Sequence, residues 1–472
     1  MFENKSVKEI ISSIHKKEVS VKEIITFYLN RIKKFNPSLN AIVSIKDEEE
    51  IIKEAKQKDE NFDNSKPLFG LPLASKDLLD VVGFPTTYGF PGYKDYFPEK
   101  NSLIVDRQLD AGGIMIGKTN TAELGVGAHT ANRLFGITPN IYGNSKSSGG
   151  SSGGASVAVA ADLLPFADGT DMMGSCRTPA AFANVYGFRP TPGIIPDYRA
   201  DNKKKNLPII STPGCLARNP EDMSILLDVV VGKHKSDPIS SNLSASFKET
   251  NIKDQDLLNI KIGWLSDMNG AYQYEDEIID ICNKKLNSLE KNKIKVENLN
   301  PKISVLKLWD CWTTIRAKSI YEDIIDMNIG DINEMTPQAI WEYNKGIKIK
   351  GDDIQLALNS RIELLSDLNK VFNNYDFLAL PSQQTFPFDK NLKYPDKINK
   401  FETDTYHRWI EVHILASLFY LPSISVPIGF NKNGFPIGIQ IIGKQGEDLK
   451  LFAFAKKYEE MFEYNKMKPL LK

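Results

Sequence analysis

The chain has 472 residues, of which 41% are hydrophobic and 25% charged, proportions that fit a soluble globular protein and exclude a disordered or fibrous one. Its 59 basic and 60 acidic residues leave a net charge of −1, so no strong field favours nucleic acid or an anionic membrane. Four cysteines (Cys176, Cys215, Cys282, Cys311) and five scattered histidines form no C-x-x-C pair and no zinc-ligand spacing, which speaks against a disulfide framework and against a bound metal. The N-terminus MFENKSVKEI lacks the form of a signal peptide, and no apolar run approaches the roughly 20 residues that span a bilayer. A cytoplasmic protein is expected.

Residues 6–34 place Ile10, Ile14, Val21, Ile24, Ile25, Tyr28, Leu29 and Ile32 at helical spacing and read as two amphipathic helices. Ser20, with Glu23 three residues on, has the form of a capping box, and Pro37 is expected to stop the second helix. A short strand in LNAIVSI and a charged helix from Asp47 to Glu60 follow. Leu103 to Leu109 predicts a helix, Gly112-Gly113 a turn and Ile114 to Gly117 a strand, a rhythm that points to an α/β architecture. The stretch after Glu123, GVGAHTANRLFGITPNIYGNSKSS, is loop-like.

Further on, DYRADNKKKN reads as a charged surface loop, NPEDMSILLDVVVG as a helix capped by Asn219, and residues 233–258 as a polar excursion. LNIKIGWLSD restarts as a strand. Residues 304–370 are largely helical, with Trp309, Trp312 and Trp341 as core or pocket residues, and YDFLALPSQQTFPF is a buried strand. LPSISVPIGFNKNGFPIGIQIIG reads as two strands joined at Asn433-Gly434, before a closing helix from Glu447 to Phe462. With no repeat and no clean linker, the expected fold class is α/β. It would be a single large domain over residues 1–472, with a mixed central β-sheet covered by helices on both faces and a helical excursion at about 304–370.

The chemistry concentrates between Gly149 and Pro179, where two glycine–serine clusters flank an apolar stretch. A flexible linker would not run straight into VAVAADLLPFA. A phosphate loop lacks its G-x-x-x-x-G-K-[ST] pattern, and Gly125-x-Gly127-x-x-Thr130 misses the dinucleotide fingerprint at its last position. Gly149-x-Ser151-x-Gly153 matches a nucleophile elbow, but the polar, proline-broken segment before it is no buried strand. Lys76, between Leu73 and Leu78, either pairs with Asp77 or Asp80 or is a buried amine of lowered pKa that can act as a base.

Taken together, Lys76 in GLPLASKD, Ser151 in GGSSGG and Ser175 in GTDMMGSCR are separated by 75 and 24 residues. In these motifs the chain resembles the amidase signature family, and the likeness extends through GGIMIGKTNTAELG, YGFRPTPG and LPSISVPIGF…GFPIGIQIIG. The resemblance implies a Ser–cis-Ser–Lys triad that hydrolyses a carboxylic amide to an acid and ammonia or an amine, without metal or cofactor. Ser175 would be the nucleophile, and Ser151, after a cis Gly150–Ser151 bond, the proton bridge to neutral Lys76. The backbone N–H groups of Met172, Met173, Gly174 and Ser175 would form the oxyanion hole.

Asp171 and Arg177 would brace that loop. Met173 stands where the family has a small residue, and Cys176 where it has an aliphatic one. By the same resemblance, Gly125, Gly127 and His129 contribute to substrate binding, although His129 also reads as a loop histidine bonded to backbone. The implied partner is a small-molecule amide, with no nucleic acid or membrane contact and with a homodimer possible. Two alternatives remain. One is the amidase subunit of a tRNA-dependent amidotransferase, a glutaminase that works with a partner subunit. The other is a catalytically silent binding protein on the same scaffold.

Overall fold

Two serine-capped helices begin the chain. In α1 (Val7–His15) and α2 (Val21–Leu39), Ser6 and Ser20 accept from the N–H three residues on, while Glu9 and Glu23 accept in return from the serine N–H. Pro37 does not stop α2 but lies in its last turn. The end is set by Asn40, in the left-handed conformation at φ 44, and by the Asn36 side chain, which accepts from the N–H groups of Ala41 and Ile42. The structure, a computed structural model, describes residues 2–3, 5–198 and 207–471. The charged loop expected after Tyr198 therefore falls mostly outside the described residues.

A small sheet follows from the amphipathic N-terminal segment. It joins β1 (Ile42–Val43), β2 (Pro72–Lys76) and β3 (Ile114–Thr119) in the order β1-β3-β2, with β2 parallel to β3. Helices α3 (Glu48–Glu60) and α4 (Leu103–Asp110) connect these strands. The five residues of β2 are all buried, so its last residue, Lys76, enters the interior.

The main sheet has eight strands: β4 (Phe166–Asp171), β5 (Tyr186–Arg189), β6 (Thr212–Ala217), β7 (Lys261–Trp264), β8 (Lys295–Asn298), β9 (Phe377–Pro381), β10 (Ser423–Phe430) and β11 (Pro436–Ile442). Their order is β8-β7-β9-β11-β10-β5-β6-β4. The three strands β8, β7 and β9 are parallel and the remaining pairings antiparallel, which makes the sheet mixed. Strand β4 is absent from the reading of residues 149–179 as an apolar stretch between two serine clusters. Its polar alternation, Asp168 and Thr170 between Ala167, Gly169 and Asp171, hides a strand whose six positions are buried or nearly so.

Helices flank the sheet. Helix α5 (Gly153–Ala160), all of whose residues are buried, packs against β4, and α6 (Arg177–Ala183) packs on β5, β10 and β11. Helix α7 (Pro220–Val230), capped by Asn219, lies on β6. Helix α8 (Ile278–Lys291) packs on β8, β9, β10 and β11. The helical excursion comprises α9 (Val305–Asp326), α10 (Pro337–Gly346) and α11 (Gly351–Phe372), with α9 packed against both of the others. The short α12 (Ile414–Leu418) precedes β10, and α13 (Asp448–Phe462) closes the chain against β10. Among the described residues, no helix is long and apolar enough to cross a membrane.

Candidate active site

Strand β2 lies against β4, and the loop before α5 folds over both. Lys76 is wholly buried there. Its Nζ is 2.7 Å from Ser151 Oγ, 2.8 Å from Ser152 Oγ and 2.9 Å from Thr170 Oγ1. Neither Asp77 nor Asp80 pairs with it: Asp77 faces Lys118 at 3.6 Å and accepts from Thr87. With no ion pair among the described residues, burial lowers the Lys76 pKa to about 8, against the opposing pull of nearby Asp171 and Asp168. A neutral amine has two N–H donors and one lone pair. With three hydroxyls around it, two can accept from Lys76 while the third donates to its lone pair, the arrangement a proton-accepting lysine requires.

The backbone holding Lys76 is itself anchored. The buried Asp168 carboxylate accepts from the Lys76 N–H at 2.8 Å, from Ser75 Oγ at 2.7 Å and from Gln108 at 2.9 Å. Ser151 follows a cis Gly150–Ser151 peptide bond. Its carbonyl accepts from the Ala122 N–H and the Thr130 hydroxyl, which fixes the loop against the main body. The Ser152 N–H donates to the Ser175 carbonyl at 3.2 Å, so the two serine clusters are stitched together directly.

Ser175 sits between β4 and α6 on a strap formed by residues 172–176. Asp171, at the end of β4, accepts from the N–H groups of Gly174 (2.9 Å) and Cys176 (3.2 Å). Arg177 returns to the same carboxylate through two nitrogens, at 2.9 and 3.0 Å, and Arg189 lies 3.6 Å from it. Burial alone would raise the Asp171 carboxyl, but Arg177 and then Arg189 outweigh it and hold the group below the ordinary aspartate range. Arg177 is tied in turn to Gln440 on β11 at 2.7 Å. His413 packs beneath Gly174 and shares a hydrogen bond of 2.8 Å with Thr178.

This geometry corrects the expected oxyanion donors in one respect. The Gly174 N–H is already spent on Asp171, so it cannot point at an incoming oxygen. The N–H groups of Met172, Met173 and Ser175 have no acceptor among the described residues.

Ser151 and Ser175 open on a cavity of about 620 Å³. One wall is a ladder of tyrosines, Tyr88, Tyr93 and Tyr96, whose rings meet edge-on at 5.4 Å. Met172, Met173 and the α9 residues Arg316, Ile320 and Ile324 also line the cavity, and Tyr93 reaches the end of α9 by donating to the Met327 carbonyl. Gly125 and Gly127 line the cavity. His129 does not. Its Nδ1 faces Ser147 Oγ at 2.7 Å and its Nε2 faces the Lys390 carbonyl at 2.9 Å, and it borders a separate cleft of about 370 Å³ behind the Val126–Gly127 wall. Both ring nitrogens are committed, which removes it from the substrate set and leaves the backbone-bonded reading.

Several residues of the site escape a reading by motif: Ser152, Thr170, Asp168, Gln440 and His413. Thr170 and Asp168 share one face of β4 at a spacing of two, a signal visible only once that segment is taken as a strand. Gln440 and His413 come from more than 230 residues beyond Arg177 and Thr178, and no local pattern marks them.

A buried lysine with no counter-ion among the described residues, hydrogen-bonded to Ser151 and Ser152 on a loop stitched to Ser175, is the arrangement of a serine hydrolase whose base is an amine. Known proteins of similar sequence and shape agree. The amidase family model matches residues 23–452, and the chain belongs to that family. It is an enzyme that hydrolyses amide carbon–nitrogen bonds. It is 29% identical over 471 residues to an acylamidase of Rhodococcus erythropolis, covering 98% of this chain and 97% of that one. It is 28% identical over 486 residues to the A subunit of the glutamyl-tRNA(Gln) amidotransferase of Caldanaerobacter subterraneus, covering 98% and 97%. Among solved structures, a bacterial aryl acylamidase of the amidase signature family superposes with a TM-score of 0.88 at 26% identity, covering 99% of both chains.

Proposed function

We propose that the whole chain is one catalytic unit in which Ser175 attacks the carbonyl carbon of a carboxamide, while Ser151 passes the Ser175 proton to neutral Lys76. The N–H groups of Met172, Met173 and Ser175 receive the developing oxyanion. Collapse of the tetrahedral intermediate expels ammonia or an amine, which takes its proton back through Ser151. Water, activated by the same relay, then releases the acid from the Ser175 ester. The observation that carries this reading is the 2.7 Å contact of Lys76 with Ser151, made by a lysine that forms no ion pair among the described residues.

The lining favours a neutral acyl group with apolar or aromatic character. Arg316 is the one cation bordering the cavity among the described residues. Its charge faces Glu342 at 2.9 Å, and its other two nitrogens meet Tyr406 at 2.7 Å and Met172 at 3.1 Å. A substrate carboxylate such as that of free glutamine would meet an arginine already occupied, with Asp323 and Asp326 on the same helix also at the wall. This weighs against the amidotransferase reading that the relatives raise, and it matches the acylamidase relative. Four buried free cysteines suit a reducing, cytoplasmic setting.

The test is ammonia or amine release from aryl, alkyl and amino-acid amides, with fluorophosphonate labelling of Ser175. Turnover of neutral amides by the isolated chain and an adduct on Ser175 are expected. No adduct on the folded protein would make it a silent binding scaffold. Turnover restricted to glutamine, or co-purification with a second protein chain, would favour the amidotransferase.

A further inference from the structure

The strap that carries the proposed oxyanion donors is held by different means along its length. Its second half is clamped by Asp171, through the N–H groups of Gly174 and Cys176. Its first half, Met172 and Met173, has no backbone hydrogen bond to a described residue that would fix its height. What reaches it instead is one face of α9. Trp312 and Arg316 are four residues apart, so their side chains leave the helix on the same side.

Trp312, fully buried, donates its Nε1–H to Met173 Sδ at 3.2 Å. Arg316 donates from Nη1 to Met172 Sδ at 3.1 Å. Each thioether is a weak acceptor, but both methionine side chains are thereby committed to defined donors, although methionine is otherwise the most adaptable apolar residue.

Both donors are well fixed. The indole belongs to the cluster of buried residues that includes Trp309, Ile315 and Leu415. The guanidinium is locked by Glu342 and Tyr406, and Tyr406 donates in turn to Glu342. Helix α9 packs closely on α10, where a Cβ added to Gly346 would lie 2.4 Å from the Ala317 carbonyl. A well-packed helix face therefore meets the part of the strap for which no backbone hydrogen bond is found among the described residues.

We propose that Trp312 and Arg316 are positioning residues for the hydrolysis: through the sulfur atoms of Met173 and Met172 they set where the N–H groups of residues 172 and 173 point. The inference rests on the assignment of Ser175 as nucleophile. It gives the helical excursion a part in the chemical step beyond shaping the cavity. It also accounts for methionine in place of a small residue at 173, since a small side chain could not reach the indole.

The test is a pair of double-mutant cycles, Trp312→Phe with Met173→Leu and Arg316→Lys with Met172→Leu. Each is read as kcat, KM and the rate of Ser175 labelling by a fluorophosphonate. Trp312→Phe also shortens a buried ring and Arg316→Lys also disturbs the contacts with Glu342 and Tyr406, so the single variants alone do not isolate the N–H···S contacts; the interaction within each cycle does. Displacing an oxyanion donor should cost less than the roughly hundred- to thousandfold loss seen on deleting one. Each single variant is therefore expected to lower kcat and the labelling rate about three- to tenfold, in keeping with a weak hydrogen bond transmitted to a donor. KM should stay within about twofold and the midpoint of the pH profile should not move, since Lys76 is untouched. Within each cycle the double variant should be no slower than its slower single.

Effects that multiply in both cycles, an unchanged kcat, or a change confined to KM would overturn the proposal. Ser175→Ala is run alongside. If it retains turnover, the active-site assignment falls and this inference with it. If it is inactive while the cycles are multiplicative, the sulfur clamp alone is refuted.

Discussion

Gly174 and His413 are in direct contact, and a Cβ added to Gly174 would lie 2.2 Å from His413 Cδ2. Gly174 also has a φ of +85, a region that side-chain-bearing residues rarely enter. The two constraints act on the residue just before Ser175, so the strap can take its shape only with glycine there. His413 is wholly buried, and burial together with Arg177 lowers its pKa to about 3, so a neutral ring forms the floor of the strap across the working range.

Gly174→Ala is therefore expected to reduce kcat by at least about a hundredfold, because both the contact and the backbone conformation displace the donors. Amide turnover checks it, with the melting temperature to distinguish a distorted strap from an unfolded chain. Activity within a few fold of wild type would mean that the strap tolerates another conformation.

Lys76 supplies a pH dependence whose sign follows from its role. Burial lowers its pKa to about 8, so the lysine is charged below that value and neutral above it. As a base it works neutral. kcat/KM should rise with pH through about 8 and level off above, and Lys76→Ala should remove both the activity and the profile. A profile flat from about pH 6 to 10 would show that no such group titrates in the free enzyme.

Thr170→Val tests how the lysine is aimed. The change keeps the shape of the side chain but removes one of three hydroxyls around Nζ, at 2.9 Å. The amine could then turn away from Ser151, and a fall of about tenfold in kcat/KM is expected, from a group worth one hydrogen bond to a charged or reacting atom. An unaltered rate would assign the orientation of Lys76 to Ser152 alone.

Met173 shapes the acyl wall as well as the strap. It is 3% exposed and borders the cavity, with its sulfur against Trp312. Met173→Gly should admit bulkier acyl groups, shifting relative kcat/KM toward them even as the absolute rate falls. A ranking of amides that matches wild type would place the side chain outside the path of the substrate.

Asp171→Asn addresses stability. The carboxylate faces Arg177 at 2.9 Å and Arg189 at 3.6 Å, all three side chains fully buried. Removing its charge leaves two guanidinium groups without compensation, and a loss of about 3–5 kcal/mol is expected in urea unfolding. Because the arginines hold the Asp171 pKa below its ordinary value, its contribution is complete above the ordinary aspartate range, near pH 4, and fades as pH falls below it. Wild type and variant should therefore converge only in acid.

How much of this was legible in advance depended on whether the signal was local. Lys76, Ser151 and Ser175 stand out because glycine, serine and an isolated lysine are conspicuous in apolar surroundings, and the structure brings the three motifs together. The capping serines and the Asn433-Gly434 turn were legible for the same reason, each resting on a few adjacent residues.

Strand β4 was not legible, because Asp168, Thr170 and Asp171 interrupt the apolar pattern. Asp168 and Thr170 are polar for distant partners, Ser75 and Lys76 on β2, and Asp171 for the nearer Arg177 and Arg189. Likewise, the commitment of the Gly174 N–H to Asp171 depends on a local fold that motif reading leaves undefined. His129 fell on a loop whose partner, the carbonyl of Lys390, lies 261 residues away.

Gln440 sits at the centre of β11, giving its amide to the carbonyls of Pro381 and Val412 and accepting from Arg177 at 2.7 Å. The brace on the strap is thus completed by a residue close to the C-terminus, in a strand that lies between β9 and β10. A chain emerging from the ribosome exposes Lys76, Ser151 and Ser175 long before that strand exists, and translation proceeds at roughly 5–20 residues per second. Residues 1–430 would carry every group proposed for the chemistry yet leave Arg177 without its anchor. Competence would then arrive late in synthesis, once β11 has joined the sheet, and chains terminated before it would lack the brace.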